Sequence, residues 1–366
     1  MILTLAKRVF DNGLGSLLLR GEPGASAPGK LSSATGTSLR GLTPPARVAR
    51  WARLARWTRH SFTKFVNEPA SARPLAALRI GVAAVLLWQA FSLSGHLLDL
   101  FSDRGVVQWS ILPFQPPREL PSIHAVAELL APLKVTPDSA VRLVFFSYVA
   151  SLVLLLLGFQ TRLAAVVAWL THMAIKTTGS TSIYGVDDFA HIALFYCVWL
   201  PVGAAWSLDR QGKSSEEATP LARLGLRLLQ LHLCIVYLSS GIEKATGEQW
   251  WNGEAMWRTL MRQDLGMIDA SWLAQMPWLA ATLCIGTLVV EIGYALMIWH
   301  RRTRPLWAAA TIGLHAGIAV FMGLLTFGAL MIVLNVAALV VPAAVPEGKG
   351  VRELPEKVGA KRAGAM

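Results

Sequence analysis

Long apolar runs separated by short polar or basic turns dominate this chain, and they recur at the length that a bilayer-spanning helix needs, about 20 mostly apolar residues. Candidates fall at residues 76–97, 139–158, 161–178, 187–205, 222–242, 275–298, 305–321 and 324–342. The last two are separated only around Met322 and Gly323, which leaves open a single broken helix, although their combined length favours two. The pattern predicts an all-α fold, a polytopic membrane helix bundle of about eight transmembrane helices. Upstream, residues 1–45 are rich in Gly, Ser, Pro and Ala with no sustained apolar period, and are expected to be a disordered cytoplasmic region. In residues 46–70, Trp51, Leu54, Trp57 and Phe65 alternate with Arg50, Arg53, Arg56 and Arg59, as in a basic helix lying on anionic lipid; a solvated basic linker is the competing reading.

Composition agrees with a bilayer as the solvent. Of 366 residues 54% are hydrophobic and 15% charged, and the mean hydropathy is +0.48, too apolar for one water-soluble domain. The net charge of +12 sits largely before the first apolar run, in short loops and in the tail, where membrane orientation explains it, so no nucleic-acid partner is expected. The cysteines, Cys197, Cys234 and Cys284, lie inside apolar runs without paired spacing and read as packing residues. Met1 to Leu19 is interrupted by Lys7, Arg8 and Asp11, so no cleavable signal peptide is expected and the first spanning helix would direct insertion.

Orientation follows from lysine and arginine in the short loops. Arg162, then Arg210, Lys213, Arg223 and Arg227, then His300-Arg301-Arg302-Thr303-Arg304 mark one side as cytoplasmic. Both chain ends, including a basic tail at residues 343–366, fall on that side. In a cell inner membrane the longer segments Leu98–Asp138 and Glu243–Ala274 would then face the periplasm. Their tryptophans, among them Trp109, Trp250, Trp251, Trp257 and Trp272, suit the interface.

Ionisable residues inside the hydrocarbon cost at least about 2.5 kcal/mol each at a helix centre, so each one asks for a partner or a purpose. Asp187, Asp188 and His191 share a face at i, i+3 and i+4, where a carboxylate could orient the imidazole; helix capping by the two aspartates is the plainer reading. Lys244 closes the fifth run. Walled by apolar groups it would serve as a general base, whereas a snorkelling lysine would pair with Glu243 or Glu248. His172, His232, Glu291 and His315 complete the intramembrane set, with Arg79 available for Glu291 to neutralise. A metal on His172, Asp187 and His191 is conceivable, but no HExxH-like spacing fixes its geometry and none is assigned. Nucleotide fingerprints and serine elbows are absent, which argues against an ATP-driven pump, and no inverted repeat points to a secondary transporter.

Leu78-Arg79-Ile80, Trp206-Ser207-Leu208-Asp209 and Ser240-Gly241-Ile242-Glu243-Lys244 followed by Trp251-Asn252-Gly253 resemble the HTTM family, the membrane domain shared by vitamin K-dependent gamma-carboxylases and bacterial proteins similar to sporulation-delaying protein B. Glu291, Arg301-Arg302-Thr303-Arg304, Leu314-His315 and Met322-Gly323 with Phe327 extend the resemblance, which covers residues 74–342. It implies an outer-face pocket in which Lys244 takes a proton from a reduced quinone. Lys244, His191, Asp187 and Asp188 are then the catalytic candidates. His315, Trp250 and Trp251 are the candidates for binding a lipid quinone. The carboxylases carry a histidine at the start of the fourth helix, where this chain has Val186 to Asp188, and they have an extended lumenal region of which no counterpart is expected here; carboxylation of clotting-type proteins is not expected. Two functions stay open: a quinone-using or peptide-modifying enzyme, and a non-enzymatic maturation, export or immunity factor for a small secreted peptide.

Overall fold

A computed structural model describes residues 63–106, 108–110, 120–179, 184–211, 217–262 and 268–344. The expectations for residues 1–45, for most of 46–70 and for nearly all of the basic tail at 343–366 lie outside the described residues. The described chain is helical, with no strand and one isolated antiparallel bridge, Ala70 to Thr219.

Among the described residues eight longer helices carry the fold: α1 Arg73–Leu93, α2 Pro137–Leu157, α3 Thr161–Thr178, α4 Gly185–Trp199, α5 Pro220–Ala245, α6 Pro277–Met297, α7 Arg304–Phe321 and α8 Leu325–Asn335, which runs on into a π turn at Val336–Val340. Shorter helices, Ile123–Leu130, Glu248–Trp251 and Glu254–Leu260, lie in the two long connections. Among the described residues four segments are long and apolar enough to cross a membrane: Arg73–Phe101, Pro137–Leu157, Pro220–Ala245 and Pro277–Met297. Large apolar side chains such as Phe91 (79%) and Leu296 (74%) are exposed, a surface that water would penalise and acyl chains would cover.

Helix limits follow local chemistry. Thr136 and Thr219 each accept a hydrogen bond from the backbone N–H three residues on, and proline occupies the first helical position of α2 and α5. Gly158 ends α2 at φ +70°, a conformation that costs a glycine little. The fourth run, expected to reach residue 205, stops at Trp199, because Pro201 holds the preceding Leu200 in extended backbone. Gly323, at φ +70°, separates α7 from α8, so the last apolar stretch is two helices rather than one broken helix.

Arg79 ties one end of the bundle together. Its side chain is fully buried, and it donates from Nε to Val202 O at 3.2 Å, from Nη1 to Leu156 O at 2.8 Å and to Leu155 O, and from Nη2 to Trp206 O at 2.5 Å. The guanidinium thus occupies the open carbonyls where α2 ends and where the chain leaves α4. This corrects the expected Arg79–Glu291 pair: Glu291 meets Lys244 instead. Beside it Asp209 caps α3, accepting from Gln160 N at 2.8 Å, Thr161 N at 2.9 Å and Thr161 Oγ1 at 2.6 Å. The Trp206-Ser207-Leu208-Asp209 motif therefore works here as a structural clasp. Cys197, Cys234 and Cys284 are buried free thiols.

Candidate functional site

Ser240 and Lys244 lie one turn apart on α5, and Gly241 between them lets α6 come close: a Cβ there would stand 2.7 Å from Ile292 Cγ1 and 3.1 Å from Glu291 Cβ. Across that contact Lys244 Nζ donates to Glu291 Oε2 at 2.9 Å and Oε1 at 3.1 Å, and to Ser240 Oγ at 2.5 Å. Its three protons have three acceptors. Trp250 covers the ammonium, with its ring centroid 5.5 Å from Nζ. The side chains are 25% exposed at Lys244 and 9% at Glu291, so the pair sits at the rim of the bundle with its carboxylate inside. The expected partner, Glu243 or Glu248, is replaced by Glu291: both of those residues are exposed, and the ion pair that Lys244 makes is with the buried carboxylate of α6.

Deeper between α5, α6, α7 and α8 lies a second polar group. Tyr237 Oη and His315 Nε2 are 2.8 Å apart, Asn335 Nδ2 donates to Tyr237 Oη at 2.7 Å, and Tyr294 Oη donates to Asn335 Oδ1 at 3.0 Å. Thr311 Oγ1 adds a 3.3 Å contact to the same Asn335 oxygen. Tyr237 is seven residues before Lys244, and Tyr294 three after Glu291, so the ion pair and this network share the α5–α6 contact. His315 is within electrostatic reach of Lys244, and its Nδ1 is buried with no protein partner. Phe327 packs edge-on against the imidazole, with ring centroids 5.7 Å apart.

The aspartate–histidine face on α4 forms a separate cluster. Asp187 caps its own helix, accepting from Tyr184 N at 3.2 Å, and takes Gln89 Nε2 of α1 at 3.1 Å. Asp188 pairs with Lys176 at 2.5 Å. Among the described residues neither carboxylate hydrogen-bonds His191; the geometry displays the capping role for Asp187 alone, while Asp188 is held by Lys176. His191 instead stacks between Trp169 and His172, with centroids at 5.1 and 5.6 Å and the two Nδ1 atoms 3.4 Å apart. Tyr148 extends the ring column, and its buried hydroxyl has no protein partner. A cavity of about 180 Å³ opens here, lined by Gln89, Tyr148, His172, Lys176, Tyr184 and Asp187 among others. No group of three metal-ligating side chains forms among the described residues.

The remaining sequence candidates scatter. Trp251 is half exposed and donates Nε1 to Ala245 O at 2.9 Å, bracing the turn after α5 rather than facing Nζ. His232 packs against Tyr196 and Phe189. Sequence reasoning missed Asn335, Tyr294 and Thr311 because it weighed only ionisable residues in the apolar runs. An uncharged amide in the middle of such a run carries the same warning, since its desolvation also needs partners.

A family model described as HTTM domain matches residues 67–339. No curated protein and no solved structure matches the chain.

Proposed function

The chain belongs to the HTTM domain family, and on that premise we propose that this membrane protein is an enzyme acting on a lipid quinone, or on a peptide with its aid, at the outer face of a cell inner membrane. In this reading the eight helices all cross the bilayer, the chain ends are cytoplasmic, and Lys244 lies at the periplasmic side. The supporting observation is the Lys244–Glu291 pair, an ammonium and a carboxylate held together in an apolar wall under Trp250. A reduced quinone bound with its ring beside Trp250 would present an acidic hydroxyl and supply the redox chemistry. Lys244 passes a proton to Glu291, which is 2.9 Å away and less exposed, and the neutral amine then accepts the proton of that hydroxyl. Ser240 holds Nζ in line meanwhile. His315, with an unpartnered Nδ1, is placed to bind a second oxygen or to relay a proton through Tyr237.

The saturation of all three Nζ protons favours a second reading, in which the pair clamps α5 to α6 and the protein serves the maturation, export or immunity of a secreted peptide without chemistry. Binding of ubiquinone or menaquinone to the purified protein separates the two. Saturable binding that Lys244→Ala abolishes, with thermal unfolding still cooperative, supports the enzyme. Binding unaltered in Lys244→Ala, or none in the unmodified protein, overturns it.

A further inference from the structure

At the end of the bundle where α5 and α7 begin, Arg223, Arg227 and Arg304 line one cleft of about 230 Å³, closed on its far side by Ala338 to Ala343 after α8. In each guanidinium Nε is committed to a backbone carbonyl: Arg223 to Glu68 O at 2.8 Å, Arg227 to Phe65 O at 3.3 Å and Arg304 to Ile298 O at 3.1 Å. Arg227 also gives Nη1 to Gln230 Oε1 at 2.8 Å and lies over the Phe65 ring at 4.0 Å. These bonds fix three guanidinium planes in place. They leave the Nη groups of Arg223 and Arg304 and Nη2 of Arg227 without an acceptor among the described residues.

Charge compounds the geometry. Arg223 and Arg304 both repel Arg227, and the carboxylate acting on it is the exposed Glu68; none of the three arginines enters an ion pair among the described residues. Three half-buried, pre-oriented forks with spare donors match a phosphate, which accepts two parallel N–H bonds from one guanidinium. The walls narrow the source. Leu226, Leu339 and Val340 line the cleft, and Leu221, Leu228 and Leu306 lie exposed on the starts of α5 and α7, the depth at which acyl chains meet headgroups.

We infer that this cleft binds the phosphate of an anionic phospholipid, with its acyl chains lying along the exposed leucines of α5 and α7. The site is separate from Lys244 and stands whether or not the enzyme reading does. The test is native mass spectrometry of the full chain released from nanodiscs of equal parts palmitoyl-oleoyl phosphatidylglycerol and phosphatidylcholine. The unmodified protein is expected to retain one phosphatidylglycerol in preference to phosphatidylcholine. Arg223→Gln/Arg304→Gln should lower that preference roughly 25-fold, about fivefold per charge, whereas Arg301→Gln/Arg302→Gln on the same end should leave it within about twofold. Equal losses in the two double variants would mean diffuse surface attraction and overturn the site. Displacement of the lipid by millimolar inorganic phosphate would also overturn it, as a soluble-anion site. Should the first variant fail to fold, titration of the unmodified protein decides: a saturable rise in unfolding temperature with phosphatidylglycerol but not with phosphatidylcholine or phosphate upholds the proposal, and no difference ends it.

Discussion

At Lys244 and Glu291 the energetics turn on what happens when one partner is lost. Breaking a buried pair strands a charge at a cost of about 3–5 kcal/mol, while replacing both partners by apolar groups is often neutral. The quarter exposure of Lys244 lets water screen the pair and cuts that cost to roughly half. Glu291→Leu should therefore destabilise the protein by roughly 2 kcal/mol, and Lys244→Met/Glu291→Leu by less. Thermal unfolding in one detergent checks this, and a double variant less stable than the single would contradict it. Asn335 offers a second case, since its amide serves Tyr237 and Tyr294 at once. Asn335→Leu leaves two buried hydroxyls short of partners and should cost about 2–4 kcal/mol. A loss under about 0.5 kcal/mol would show that the network contributes nothing. Both residues expose a limit of reading a chain by itself: Lys244 was picked out by its charge, but its partner lies 47 residues away on another helix.

Among the elements, the approach of α5 to α6 decides whether a site exists. Gly241 permits it, and Gly241→Val would drive a branched side chain into Ile292 and the Glu291 stem. The expected result is loss of cooperative packing between these helices and loss of any quinone binding that depends on Lys244. Gly286→Ala on α6 makes the control, because nothing lies within 4 Å of its added Cβ; it should be neutral or stabilise the helix by up to about 1 kcal/mol. If both variants bind and unfold alike, close helix approach is not what assembles the pair. Helix existence was legible from apolar runs. Helix ends were legible only where a local signal marked them, such as Gly158 or Gly323. The fourth run was read six residues too long because Pro201, which cuts the hydrogen-bond ladder, sits in apolar company that masks the break.

For the whole molecule, the proposed topology puts Lys244 and the arginine cleft on opposite sides of one bilayer. With an impermeant maleimide, a cysteine introduced as Gln249→Cys should therefore label in intact cells, and one introduced as Arg302→Cys only after the membrane is permeabilised. The native thiols stay silent because Cys197, Cys234 and Cys284 are buried. Labelling of both positions from one side would refute the arrangement and with it the periplasmic placement of the site. The exposed apolar surface and the four long apolar helices need the membrane in either case.

What the chain alone determined is its solvent and its class: apolar runs of spanning length, positive charge gathered in short loops, and the motifs that carry the HTTM resemblance. These are sums over neighbouring residues, and each residue's transfer preference is its own. Which polar groups meet was decided only in three dimensions. Glu291 takes Lys244 and not Arg79, Asp188 takes Lys176 and not His191, and Arg79 binds carbonyls rather than a carboxylate. The physical reason is the low-dielectric interior. There a buried charge must be matched by whichever acceptor helix packing brings within about 3 Å, and helix packing is set by the small and apolar residues between the charges, not by the charges themselves.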